Sequence, residues 1–267
     1  MKKISDEIYN KIDNAHYNLE TETWWDKNSR HYILKSSINP LRVGYFKRIL
    51  FEEMNKKAIG KAALEVGCGG GILTEEIAKM GFETTGIDPS KHSIKVAKNH
   101  SITSNLKIKY DIGFGENLPY RDASFDVVFC CDVLEHVRDL PKVISEISRV
   151  LKPKGVFCFD TINRTFLSKL IVIKIMQEWK SLAFAPENLH VWEMFIQPKE
   201  LEILLKNNNF AVSQFRGSRL ATPILKMAYY LRQRAKGKLN YEELGEKLHF
   251  KEHSDKNVNY LGFAIKK

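Results

Sequence analysis

At 267 residues and 43% hydrophobic, the chain is long enough for one sizeable α/β domain with an accessory lid. Its formal charge of +10 is spread without a compact arginine-rich block, which argues against a nucleic-acid partner; the longest apolar stretch, Leu167 to Met176, is interrupted by Ser168, Lys169 and Lys174 and is too short to span a bilayer. Cys68, Cys130, Cys131 and Cys158 lie in apolar runs without CxxC spacing, and no apolar run follows the N-terminal lysines, so a cytoplasmic protein with reduced thiols is expected.

Residues 1–60 carry helical signals: a polar stretch, Trp24-Trp25-Asp26, and a break at Asn39-Pro40 followed by apolar residues at three- and four-residue spacing to Leu50. Short buried strands are then predicted over 62–66, 83–87, 107–111, 126–131 and 155–160, separated by helical runs over 73–80, 90–99 and 140–150. Strand-helix alternation implies right-handed crossovers and a Rossmann-like, doubly wound, mostly parallel sheet that binds ligands at the carboxyl ends of its strands. Further strands over 210–215 and 258–265 bring the sheet to seven, with a helix between Pro198 and Asn208. The expected organisation is a single domain over 1–267 with a core at 61–160. Segments 161–195 and 216–255 are read as lid, substrate-facing or membrane-facing parts.

The loop Gly67-Cys68-Gly69-Gly70-Gly71 follows a strand and precedes a helix, where glycines permit a tight turn and close approach of a ligand. A dinucleotide fingerprint would place glycine or alanine at position 72, which is Ile72, so a nucleoside without a pyrophosphate fits better. Asp88, at the end of the next predicted strand, is placed to accept both ribose hydroxyls. As part of Asp88-Pro89-Ser90 it also suits a helix N-cap. Glu65 ends the first strand, either near the amino group of a methionine moiety or in a structural salt bridge.

After the fourth strand, Asp132, Glu135 and His136 stand at i, i+3 and i+4, which gathers them on one face of a short predicted helix. Two carboxylates and an imidazole, with Asn163 from the end of the fifth strand, can bind a hard divalent cation such as Mg²⁺. Alternatively His136 serves alone as general base, or the group is only a capped helix with an acidic face.

The glycine loop, Gly113 to Tyr120 and Ser124 to Val128 resemble class I methyltransferases, although Phe114 stands where many members carry an adenine-binding aspartate. That leaves adenine to apolar contact and to the backbone near Gly115 and Glu116. Trp24-Trp25-Asp26, Ile38 to Tyr45, Val66 to Leu73, Leu134 to Val137, Ile162-Asn163-Arg164 and Phe195 to Leu201 together resemble the ubiquinone-pathway O-methyltransferases of the UbiG type, over most of 24–205.

The resemblance implies S-adenosylmethionine (SAM) as methyl donor and a phenolic, catechol-like acceptor on a polyprenyl chain. It also implies peripheral contact of the loop after the fifth strand with lipid. By the same resemblance Arg42 contacts the SAM carboxylate, Gly67, Gly69, Gly71 and Asp88 the nucleoside side, and Cys131 offers its backbone to the cofactor. A divalent ion would be held by Asp132, Glu135, His136 and Asn163, with Glu135 and His136 nearest the chemistry. Methylation of nitrogen or carbon, and a SAM-binding module without catalysis, remain alternatives, because the segment from Arg216 to Lys251 carries no family pattern.

Overall fold

The structure is a computed structural model that describes residues 4–15, 24–179 and 185–267. Residues 1–3 and 16–23 of the expected N-terminal helical segment, and 180–184 of the first expected lid segment, lie outside the described residues.

Eight strands form one sheet: β1 Ala62–Val66, β2 Glu83–Asp88, β3 Ile108–Ile112, β4 Phe125–Cys130, β5 Leu151–Ile162, β6 Phe210–Leu220, β7 Phe250–His253 and β8 Asn259–Lys266, in the order β3-β2-β1-β4-β5-β8-β6-β7. The first five are parallel, and β8 joins β5 and β6 antiparallel. The strand missed by sequence is β7. Its residues Phe250-Lys251-Glu252-His253 are mostly polar because it is an edge strand, paired only with the extended end of β6.

The described helices are α1 Asp6–Tyr9, α2 Asn39–Lys47, α3 Ile72–Lys79, α4 Lys91–Thr103, α5 Leu140–Val150, α6 Phe166–Ser168, α7 Pro198–Asn207, α8 Ile224–Ala235 and α9 Tyr241–Lys247. Wider π-helical turns flank α2, and another, Lys169–Glu178, continues α6. No helix among the described residues is long and apolar enough to cross a membrane.

The central strands are apolar on both faces because helices cover both. Leu64, Val66, Val128, Cys130 and Phe157 pack with Leu140, Val143, Ile144 and Ile147 of α5, whose spacing sets one stripe against the sheet. The alternate residues Ala63, Val127, Phe129 and Cys158 point the other way, onto Tyr45, Phe46, Ile49, Leu73 and Ile77. Burying either phenylalanine-rich layer contributes roughly 2 kcal/mol per large side chain before entropy is counted. Between them the strand order reverses at β1 and β4, which opens the crevice where a doubly wound sheet takes its ligand.

The segment 216–255 becomes the end of β6, then α8, α9 and β7. Tyr241, Leu244 and Leu248 pack there with Tyr32 of the N-terminal segment. Contact is close enough that a Cβ on Gly245 would lie 1.8 Å from Ser36 Oγ.

Candidate active site

The loop after β1 is shaped by its glycines. Gly67, Gly69 and Gly71 have φ of 73°, 49° and 86°, a region that side chains with a Cβ rarely enter. Asp88 at the end of β2 secures the loop: Oδ2 accepts the Gly69 N–H at 2.9 Å and Oδ1 the Ser90 N–H at 2.8 Å. The α4 N-cap is therefore Ser90, whose hydroxyl accepts from Ser93 N, rather than Asp88. Burial pushes the Asp88 carboxyl up to about 6, against the two N–H donors that favour its charge. Each oxygen retains a further lone pair for a hydroxyl donor.

Glu65, next to last in β1, is almost fully buried and accepts the Thr74 hydroxyl. Burial raises its carboxyl to about 8, and the Thr74 bond only partly offsets this. Gly115 packs tightly, with a built Cβ 3.2 Å from Val66, while Glu116 is partly exposed. Phe114, expected against adenine, is 64% exposed and touches no described core cluster.

Where sequence predicts a short helix at Asp132, the chain turns instead, and α5 begins only at Leu140 after the Asp139 cap. Asp132, next to buried Cys131, has φ of 54°, which aspartate tolerates better than most residues. Asp160 of β5 fixes that turn: its Oδ1 accepts the Asp132 N–H at 2.8 Å. Arg42, buried on α2, donates Nε and Nη2 to the same Asp160 carboxylate and pairs with the Asp132 carboxylate as well. Burial disfavours the guanidinium charge, but Asp132 and Asp160 outweigh it and hold Arg42 ionised. At Asp132 burial pushes the carboxyl up, yet its side chain is 40% exposed and the Arg42 charge prevails, holding it below the ordinary carboxylate value.

Glu135 lies one turn further, 1% exposed, with Oε2 accepting from Thr161 Oγ1 at 2.7 Å. Oε1 has no partner among the described residues. Burial and then the Asp132 charge raise this carboxyl to about 8. Burial also pushes His136 down to about 4 and His190 down to about 3, so both imidazoles are neutral. Ligand atoms of Glu135, His136 and His190 all lie within 4.8 Å of one another, whereas the Asp132 carboxylate is held by Arg42 outside that group. Asn163 is buried, donates Nδ2 to Lys256 O at 2.7 Å, and leaves Oδ1 without a described partner. The orphaned Glu135 oxygen and the two imidazoles grouped with that residue fit a cation, and no described contact joins Asn163 to them.

The glycine loop and the acidic turn touch. A Cβ on Gly67 would lie 2.3 Å from Val133 Cγ2.

Residues 64–159 match the family described as Methyltransferase domain. The chain is 33% identical over 213 residues to a ubiquinone biosynthesis O-methyltransferase from Pelagibacter ubique, covering 78% of this chain and 87% of that protein. To the protein of the same name from Hahella chejuensis it is 34% identical over 244 residues, covering 91% and 89%. The chain belongs to the ubiquinone biosynthesis O-methyltransferase family. It is a SAM-dependent methyltransferase. In fold it is similar to the PH0226 protein of Pyrococcus horikoshii, with a TM-score of 0.59 at 20% identity over 96% of this chain and 100% of that one.

Four residues of this methyltransferase's site escaped the sequence reading. Trp24 lies against the glycine loop, so that a Cβ on Gly70 would sit 2.1 Å from its Cγ, and Trp25 Nε1 donates to Gly70 O at 2.8 Å. The Trp-Trp pair is distinctive in sequence, but its target is 45 residues away. His190 and Asp160 carried no local signal, since a lone histidine in a loop and an acid in a strand are common.

Proposed function

We propose that this methyltransferase moves the SAM methyl group onto a phenolic hydroxyl of a lipid-linked quinone precursor. The observation that carries the reading is the contact of Gly67 with the turn that bears Glu135 and His136, which sets a nucleoside-binding loop beside proton-accepting groups. Kinship with proteins named for ubiquinone biosynthesis supports the acceptor class.

In this reading Asp88 receives the ribose hydroxyls and Glu65 the ammonium group. Gly67, Gly69 and Gly71 keep the backbone close, and Gly115, Glu116 and the Cys131 backbone border the base and sulfur. Arg42 receives the SAM carboxylate beside Asp160. As the phenolic oxygen forms its bond to the methyl carbon, the carbon–sulfur bond breaks with its electron pair passing to sulfur, leaving S-adenosylhomocysteine. When no cation is held there, the neutral His136 accepts the phenol proton. A divalent cation, when held by Glu135 and His136 with Asn163 or Asp132 nearby, would supply positive charge that favours the phenolate. Holding oxygen, methyl and sulfur in line supplies most of the rate.

The segment after β5 supports a lipid-facing entrance. Phe166 is 81% exposed, with Leu167, Leu170 and Trp179 also exposed beside Lys169 and Lys174. The same π-helical stretch carries Gln177, which grips His190, so the apolar surface and the candidate site share one element. In this reading segments 161–195 and 216–255 form lid, substrate-facing or membrane-facing parts.

Incubation with methyl-labelled SAM tests the reading. Label is expected in a methyl ether formed on a polyprenyl catechol, and turnover on amines alone would overturn it.

A further inference from the structure

The glycine loop is also gripped from outside the sheet, by the N-terminal segment and α4. Trp25 Nε1 donates to Gly70 O at 2.8 Å, and the Trp25 ring lies flat on the His100 ring of α4, with centroids 3.4 Å apart and planes 4° from parallel. Behind that stack His100 Nδ1 lies 2.6 Å from Oε1 of Glu75, whose side chain is 1% exposed on α3. A carboxylate oxygen only accepts, so Nδ1 bears the hydrogen and the imidazole is held with its face to the indole. The Glu75 backbone N–H in turn donates to Gly71 O at 3.0 Å. The contacts therefore close a circuit, from Gly70 through Trp25, His100 and Glu75 to Gly71, that begins and ends on the loop.

The bond between Glu75 and His100 is more than incidental packing. Glu75 Oε2 is buried without a partner among the described residues, so the contact with His100 is what offsets the burial of that carboxylate. Trp24 repeats the grip beside it: its Nε1 donates to Ser93 Oγ of α4 at 3.1 Å, and its ring lies where a Cβ on Gly69 would come within 2.6 Å. Lys35 Nζ stands 5.0 Å from the Trp25 ring centroid and adds a cation to the stack. Glycines at positive φ leave a loop many alternative conformations, and a ligand that meets it disordered must bear the cost of fixing it. Contacts that fix the loop beforehand remove that cost.

We propose that His100 is a positioning residue for cofactor binding: anchored on Glu75, it backs the Trp25 indole, which holds the Gly70 carbonyl and sets the glycine loop in its binding shape before SAM arrives. The N-terminal segment is on this account part of the cofactor site, although it lies outside the strand-loop-helix unit. The proposal rests on the reading that the glycine loop faces the cofactor.

The test is S-adenosylhomocysteine calorimetry and SAM kinetics on the full chain and its variants. Trp25→Phe keeps a flat ring and removes only the indole N–H, whereas His100→Ala removes the ring behind it. Each is expected to weaken S-adenosylhomocysteine binding by about 3- to 10-fold and to raise the KM for SAM equally, with kcat within about twofold. Because His100 acts through Trp25, adding His100→Ala to Trp25→Phe should change affinity little further, and fully additive losses would overturn the proposal. A role in stability alone would lower the denaturation midpoint and leave Kd and KM unmoved, which would also overturn it. Coupling is reciprocal, so in the wild type with isotope-labelled tryptophan the Trp25 indole N–H should exchange with solvent about 3- to 10-fold more slowly once S-adenosylhomocysteine is bound. An unchanged exchange rate sinks the proposal even where the variants do not fold. Asp88→Asn separates it from the reading beneath it: affinity weakened there but not in Trp25→Phe or His100→Ala ends the proposal alone, and affinity moved by none of the three ends both.

Discussion

Asp160 grips Arg42 through both carboxylate oxygens while its Oδ1 also accepts the backbone N–H of Asp132 at 2.8 Å. One strand residue thus fixes both the buried arginine and the left-handed turn that leads to Glu135. Both partners are buried, with side chains 6% and 11% exposed, so removing Asp160 takes away a bidentate partner and leaves the buried Arg42 charge with Asp132 alone. Asp160→Ala is expected to cost about 3 to 5 kcal/mol in urea denaturation. Asp160→Asn, which keeps an acceptor for the Asp132 N–H, should cost clearly less. An Asp160→Ala protein as stable as wild type would show that the pair is not structural.

Trp24 on the glycine loop predicts a specific non-additivity. Gly70 does not have a positive φ, so alanine fits its backbone, but a Cβ there would lie 2.1 Å from Trp24 Cγ. Gly70→Ala should therefore cost about 1 to 3 kcal/mol by overpacking. Trp24→Ala should cost about 3 to 5 kcal/mol by loss of a buried aromatic. In the Trp24→Ala background the alanine at 70 should cost much less, because its obstacle is gone. A double-mutant cycle on denaturation midpoints measures this, and strictly additive losses would refute the packing argument.

The same pair shows what sequence could reveal. Strand-helix alternation was legible because a parallel sheet buried on both faces needs apolar runs such as Ala62–Val66 and Phe125–Cys130, and the glycine loop was legible because positive φ selects glycine. Asp132, Glu135 and His136 were also visible, but the helix assigned to them was not formed: spacing alone cannot reveal that Asp160, 28 residues away, captures the Asp132 N–H. His190 joins the site through Gln177, and Trp24 finds Gly70 through folding of the whole N-terminal segment. Such partners are set by tertiary contact, which leaves no period in the chain.

Metal removal separates the two roles open to His136. After exhaustive chelation, methyl transfer is expected to fall by at least about tenfold and to return with Mg²⁺ or a related divalent ion. S-adenosylhomocysteine binding, measured on the same samples, should survive, since the donors beside Asp88 and Glu65 involve no metal. Full activity in chelator would sink the metal and favour His136 as the proton acceptor.

The pH dependence of cofactor binding follows from Asp88, whose carboxyl is raised from 3.8 to about 6 by burial. Ribose hydroxyls donate to the ionised form and favour it, so the bound complex has a lower value than the free protein. Affinity for S-adenosylhomocysteine should then be level above about pH 6 and fall by up to about tenfold per pH unit below it. Stability of the free protein carries the opposite sign. Between 3.8 and about 6 the folded chain holds a proton that the unfolded chain has released, so the Asp88 contribution to stability declines as pH rises through that window. Asp88→Asn should weaken binding by about 1 to 3 kcal/mol and flatten its Asp88-linked pH dependence. Calorimetry at pH values on both sides of 6, beside denaturation of the free protein, measures both signs, and an affinity that holds constant down to about pH 5 would remove Asp88 from the ribose site.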